Sequence, residues 1–202
     1  MGNYEREDVA GSLRHTLASY KLLEDDPQAW KWVFLALYTA LSGACVCHLT
    51  TTSGLGALSD NSAKELSDYF ERSRAEPGIL YPATRLASLP ELLKRVRQPR
   101  SAGDATNAAG ILISDGEMAW LTRCHMHVRN QFIHFAPMGW SLDISGIPPL
   151  TCLVARIIRD ILHVGWAFRH TPAEWKNGLN ATLDALEQVA ILSPPAGPAA
   201  AA

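Results

Sequence analysis

The distribution of proline is the feature that most constrains how this chain can fold. Its 12 prolines leave long proline-free segments between them, and proline is excluded from helix interiors but tolerated in first turns and connections. Within those segments apolar residues recur with the helical period of three to four positions. The sequence therefore predicts an all-α helical bundle of roughly five to seven helices, drawn from seven segments at about 5–24, 28–49, 60–75, 89–98, 115–135, 150–169 and 172–191.

The second predicted helix is apolar nearly all round, which is typical of a helix in the middle of a bundle. Its most apolar run, Trp32 to Cys47, is 16 residues long and includes Tyr38, Thr39 and Ser42. A transmembrane helix needs about 20 apolar residues. We therefore expect one long central core helix and no membrane partner.

Two helix starts carry a specific signal. Ser114 with Glu117, and Thr171 with Glu174, have the spacing of a capping box, in which two side chains bond the backbone amides of the first turn. They predict the starts of the fifth and seventh helices.

The length of 202 residues is that of one domain, which we place at residues 1–192. The remaining segment, 193–202, consists mainly of proline and alanine and cannot bury a core, so it is predicted to be a disordered tail. A net charge of −2 argues against a protein that coats nucleic acid non-specifically, but it leaves room for a locally basic site.

The cellular location follows from the N-terminus and the cysteines. The first eight residues, Met1 to Asp8, lack the basic start and apolar stretch of a secretory signal. The four cysteines contain no C-x-x-C pair, which favours free thiols in a reducing compartment. We therefore expect a cytoplasmic protein.

Reactive side chains are concentrated on the fifth predicted helix. Helical geometry places Leu121, Cys124, Val128, Phe132 and Phe135 on its core face. Asn130 points away from that face, and Arg129 and His134 lie on either side of it. The group as a whole comprises Arg123, Cys124, His125, His127, Arg129, Asn130, Gln131 and His134.

An arginine, an amide and an imidazole together can process a phosphodiester without a metal. The imidazole, with an ordinary pKa of about 6.5, can transfer protons to and from the reacting oxygens. The guanidinium can stabilise the charge that develops on the phosphate oxygens, and the amide can position them. RNA supplies its own nucleophile in the 2′-hydroxyl, whereas DNA has none.

The segment Arg129-Asn130-Gln131-Phe132-Ile133-His134 resembles the R-x4-6-H signature of the HEPN superfamily, including the polar residue that commonly follows the arginine in its active ribonucleases. The resemblance implies a helical bundle that dimerises so that two motifs share one cleft. It also implies metal-independent cleavage of RNA to a cyclic phosphate, in a toxin, antiviral-defence or RNA-processing setting. By this resemblance the catalytic residues are Arg129, Asn130 and His134.

Two observations bear on that resemblance. Arg156 and His163 have a compatible spacing, but Ile157 follows the arginine, so this pair is better interpreted as a solvated or interhelical pair. Some HEPN toxins carry a tyrosine two positions after the motif histidine, where a nucleotidyltransferase antitoxin modifies them. Here that position is Ala136, so an antitoxin of that kind cannot be assumed.

Further basic residues are candidates for RNA binding. Arg123 and His127 are expected near Asn130, and Arg95 and Arg97 belong to the segment 85–100, which has five basic residues and one acidic residue. That segment fits either an RNA backbone or a solvated helix face. Cys124, His125 and His127 project around the helix rather than together, so neither a metal nor another cofactor is expected.

Two functions remain open at this stage, beside a third possibility, a helical subunit of a larger assembly that would be unstable when expressed alone. The first is a dimeric, metal-independent endoribonuclease, with RNA as substrate and an antitoxin or defence protein as a potential partner. The second is a non-catalytic helical dimer that binds a nucleotide, an RNA or a protein on the same surface. An imidazole beside Arg129 and Asn130 favours the enzyme, because a binding protein does not need a group that titrates near neutral pH.

Overall fold

The structure, a computed structural model, describes residues 5–50, 54–102, 108–133 and 143–193. Over these ranges the chain is helical, with one isolated bridge between Leu58 and Leu86 and no sheet. The all-α bundle is thereby confirmed. Its helices are α1 (Glu5–Lys21), α2 (Ala29–Leu49), α3 (Asp60–Arg72), α4 (Leu89–Val96), α5 (115–133), α6 (Ile147–Val164) and α7 (Ala173–Leu192).

The central helix of the bundle is α2, as the sequence predicts. It packs against α1, α4 and α6, and its buried side chains include Val33, Phe34, Leu37 and Leu41. By length and composition α2 is the one helix in the described ranges that could cross a membrane, but 67% of its most apolar stretch is buried inside the bundle. That burial is compatible with the core helix of a soluble protein.

The motif helix α5 changes its hydrogen bonding along its length. Asp115–Arg123 is α-helical, Cys124–Arg129 is π-helical, and Asn130–Ile133 is α-helical again. A π-helix bonds residues five apart and so widens each turn, a local feature that is frequent at functional sites. The sequence did not indicate this change.

The two predicted capping boxes have different outcomes. The first is confirmed, because Ser114 Oγ accepts from Glu117 N at 3.2 Å and Glu117 Oε2 accepts from Ser114 N at 2.8 Å. The second is wrong. Pro172, not Thr171, directly precedes α7, and the Thr171 hydroxyl donates to the carbonyl of Phe168 at 2.6 Å. Most of the predicted tail, residues 194–202, lies outside the described residues.

His48, on α2, makes the bundle sensitive to acid. Its side chain is fully buried, and its Nε2 lies 2.8 Å from Ser101 Oγ. Because the Ser101 hydroxyl donates to the carbonyl of Val96, the imidazole is the donor in this pair. Burial lowers the pKa of His48 to about 4, so the folded chain holds it as a neutral ring.

We expect the free energy of unfolding to fall by about 3 kcal/mol between pH 6.5 and pH 4 through His48 alone. The unfolded chain takes up a proton below about pH 6.5, whereas the folded chain does not until about pH 4. The contribution of neutral His48 to the free energy of unfolding is therefore complete above the pKa of the unfolded chain, and it is lost as the pH falls from that value to the pKa of the folded chain, about 4. Urea unfolding at several pH values should show a flatter dependence for His48→Gln, which cannot titrate. An unchanged slope would contradict the assignment, and the exposed His163→Gln serves as control.

Candidate functional site

Arg129 and Asn130 stand together near the end of the described part of α5. Both side chains are half-buried. Arg129 Nη1 lies 3.3 Å from Asn130 Oδ1, and Asn130 Nδ2 donates to the carbonyl of Met126 at 3.0 Å. The amide therefore braces the guanidinium against the helix backbone. The third motif residue, His134, follows Ile133 and lies outside the described residues.

Arg129 borders a groove of about 580 Å³ between α5 and the helices α1, α2 and α4. The groove combines polar side chains with an apolar floor. Its lining includes Glu5, Asp8, Tyr38, Ser42, Val46, Ser88, Leu89, His125, Arg129 and Ile133. We call it the Arg129 groove. Its volume is in the range of pockets that hold small ligands.

Arg129 differs from several other arginines in having no carboxylate partner in the described parts of the chain. Arg95, Arg97, Arg156 and Arg159 each form ion pairs within 3.0 Å. The charge of Arg129 has only the neutral amide of Asn130 as a side-chain hydrogen-bond partner there. A guanidinium in that state retains donors for an anionic ligand.

The Arg129 groove carries charge of both signs, since Glu5 and Asp8 line it together with Arg129. Burial raises the pKa of Cys47 to about 12, and the nearby carboxylates of Glu5 and Asp8 add to that rise. By contrast, the pKa of His125 is lowered by burial and then by the charge of Arg129. The carboxylates thus act near Cys47, and the Arg129 charge acts near His125.

The structure places Arg123 and His127 on another side of α5. Both are exposed and line a second groove of about 310 Å³ together with Trp120 and Asp143. The sequence expectation grouped them with Asn130, but the residues of α5 that face the Arg129 groove are His125, Arg129 and Ile133. Any RNA that touches all of these residues must therefore cross α5.

Arg95 and Arg97 are both engaged within the chain. Arg95 donates to the carbonyls of Gly56 and Leu58 at 3.0 and 2.6 Å and pairs with Asp60 at 2.7 Å. Arg97 pairs with Asp115 at 2.7 Å. These contacts fasten α4 to the start of α3 and to α5. They favour a structural role for this pair over RNA binding.

The arginine of the second pair with a motif-like spacing, Arg156 and His163, also has a structural role. Arg156 pairs with Glu117 at 2.9 Å and with Asp160 at 3.2 Å, and it donates to the carbonyl of Leu112 at 2.8 Å. Its charge therefore ties α6 to the start of α5. The two arginines that match the motif spacing therefore differ in their partners: Arg156 pairs with carboxylates, whereas Arg129 has none in the described residues.

The side chains that the sequence offered as metal ligands do not converge. Cys124 and His127 line the second groove, whereas His125 lines the Arg129 groove. Within the described ranges no three His, Cys, Asp or Glu residues are placed to hold a metal ion.

His125 is the groove residue that sequence reasoning did not assign to the site. It precedes Arg129 by four positions, a spacing that puts two side chains on the same side of a helix, and this signal was available.

No protein-family model, curated protein or solved structure matches this chain.

Proposed function

We propose that this chain is a HEPN-like, metal-independent endoribonuclease that cleaves RNA through its 2′-hydroxyl. One observation carries the proposal. Arg129, the half-buried arginine of the motif, borders the Arg129 groove, is braced by Asn130 and has no carboxylate partner in the described residues. By contrast, Arg95 and Arg156, which hold helices together, are both ion-paired. The guanidinium of Arg129 therefore keeps N–H donors that can bind an anionic ligand.

In the proposed reaction the 2′-oxygen attacks the adjacent phosphorus while its proton passes to a base. The bond from phosphorus to the 5′-oxygen breaks, and that oxygen receives a proton. The products are a 2′,3′-cyclic phosphate and a 5′-hydroxyl. His134 performs proton transfer, Arg129 stabilises the charge on the non-bridging oxygens, and Asn130 positions Arg129.

We include a homodimer in the proposal, because each chain contributes one motif and a two-fold axis can bring two motifs into one cleft. Two exposed apolar side chains of α5 support it. Met126 is 54% exposed and Ile133 is 41% exposed, and they flank Arg129 and Asn130 in sequence. A second copy that covers them would bring its own motif to the same surface.

We further place the enzyme in the cytoplasm, in a toxin or antiviral-defence setting with a partner protein that restrains it. The four cysteines are free thiols, and Cys45 is buried. Free thiols fit a reducing compartment. A ribonuclease that requires no metal has no intrinsic control in such a compartment, which is the reason to expect a restraining partner.

The decisive experiment measures RNA cleavage and molecular mass on the same preparation. Single-stranded RNA should be cut in excess EDTA, whereas DNA and 2′-deoxy-substituted RNA should remain intact because the internal nucleophile is missing. Light scattering at micromolar concentration should give twice the 22.0 kDa of one chain. RNA binding without cleavage would favour the non-catalytic helical dimer, and a stable monomer would contradict the composite site.

A further inference from the structure

His125 lies in the π-helical segment of α5 and shares the Arg129 groove. Its ring is half-buried and stacks on Tyr38, with ring centroids 6.3 Å apart and planes at 21°. The Tyr38 hydroxyl donates to the carbonyl of Leu121 at 2.9 Å. The ring that supports His125 is therefore itself held in place.

The two nitrogens of His125 have different surroundings. Nδ1 is sealed from solvent and has no hydrogen-bond partner in the described residues. Nε2 is therefore the nitrogen that the ring can offer to a ligand in the groove.

The sealed nitrogen also favours one tautomer. Orphaned N–H groups are rarer in folded proteins than under-satisfied acceptors. The less costly arrangement therefore leaves a bare lone pair on Nδ1 and puts the hydrogen on Nε2. In that form His125 is a neutral hydrogen-bond donor.

We propose that His125 is a substrate-binding residue of the same site, whose neutral Nε2–H donates to a non-bridging oxygen of the RNA phosphate that Arg129 binds. This inference rests on the proposed ribonuclease function and adds a residue outside the six-residue motif. Two N–H donors, one charged and one neutral, would then grip the phosphate. Donors that are fixed in advance are the usual means of stabilising charge that develops in a transition state.

The charged groups around His125 are consistent with a neutral ring. Burial lowers the pKa of His125, and the charge of Arg129 on the same helix lowers it further. Tyr38 on α2 is itself buried, with its pKa raised by desolvation, so it adds no charge. Glu5 and Asp8 on α1 line the same groove, but the pKa of His125 is shifted downward. The segment 86–92 contributes Ser88 and apolar side chains only.

The test compares two replacements at this position. His125→Gln keeps an N–H donor at similar reach and cannot titrate, so we expect it to cut RNA at a rate between those of wild type and His125→Phe. His125→Phe keeps the ring but removes the donor, so we expect cleavage to fall about 10²-fold. The exposed His163→Phe is the matched control and should cut as wild type does.

Binding of an uncleavable 2′-deoxy oligonucleotide, followed by fluorescence anisotropy, separates this inference from the proposed function. His125→Phe should bind at least about tenfold more weakly than wild type, and the affinity of His125→Gln should lie between the two. If wild type cuts RNA and His125→Phe cuts equally well, the role of His125 is overturned while the ribonuclease stands. If wild type does not cut RNA, the proposed function fails first.

A measurement on the unmodified protein covers the case in which His125→Phe does not fold. Nitrogen-15 spectra of the histidine rings distinguish the two neutral tautomers and the cation. At pH 7 the signal of His125, assigned by its loss in His125→Gln, should be that of a neutral ring with hydrogen on Nε2. A cation, or a ring with hydrogen on Nδ1, would overturn the inference.

Discussion

Replacing His134 by alanine is expected to lower the rate of RNA cleavage by about 10²- to 10⁴-fold, the usual cost of losing a positioned proton-transfer group. Arg129→Ala is expected to lower it by about 10²- to 10³-fold, the cost of losing a donor that stabilises transition-state charge. Arg129→Lys should also fail substantially, because an ammonium cannot reproduce the planar two-pronged grip of a guanidinium. Initial rates on a fluorescent single-stranded RNA in EDTA give these ratios directly.

The control for both variants is Arg156→Ala. Arg156 has a histidine at a compatible spacing, but its guanidinium is occupied by Glu117 and Asp160. Arg156→Ala should therefore reduce the rate of cleavage much less than Arg129→Ala or His134→Ala. Its main effect should be a lower midpoint of urea unfolding. If the double variant Arg129→Ala/His134→Ala cut RNA as fast as wild type, the activity would belong to another site or to a contaminant.

Phe34→Ala is expected to reduce the free energy of unfolding by about 3–5 kcal/mol, the range for truncating a buried aromatic ring. Phe34 is 1% exposed and stacks on Tyr38 with ring centroids 4.5 Å apart. Its ring also packs against that of Phe132, with ring centroids 5.6 Å apart. This contact joins the central helix to the motif end of α5. Urea unfolding measures the loss, and cleavage should fall with it because α5 loses its support.

Trp32→Ala provides the comparison on the same helix. Trp32 is 50% exposed, with the Lys31 ammonium 5.1 Å from its ring. Removing it should cost clearly less than Phe34→Ala does, because half of the Trp32 side chain is already exposed to solvent and its cation–π contact is worth about 1 kcal/mol at most. Equal losses for the two variants would mean that Phe34 is not part of a close-packed core.

The sequence predicted the fold well because its signals are local. Proline spacing and apolar periodicity act within each segment, so every predicted helix has a counterpart in the structure. The capping box at Ser114 needs only residues three apart and formed as expected. The one at Thr171 failed because Pro172 supplies the residue before the helix, which moves the first turn one position beyond the reach of the threonine.

The candidate site was less predictable because it depends on contacts between distant residues. Arg95 and Arg129 look alike in the sequence. Only the fold brings Asp60 to within 2.7 Å of Arg95, across 35 positions, while no carboxylate in the described residues reaches Arg129. The spacing of four residues from His125 to Arg129 was visible in the sequence, but the burial of His125 and its stacking on Tyr38 arise only from the packing of α5 on α2.

The π-helical segment Cys124–Arg129 fixes the angular phase between the two halves of α5. The first half is oriented by its capping box and the second half carries the motif, and one residue of an α-helix corresponds to a rotation of about 100°. Because a π-helical turn holds one residue more than an α-helical turn, the same residues wound as regular α-helix would rotate the motif by about 100° away from its groove without altering any motif residue. The six letters of the motif therefore specify a site only together with the number of residues that precede them.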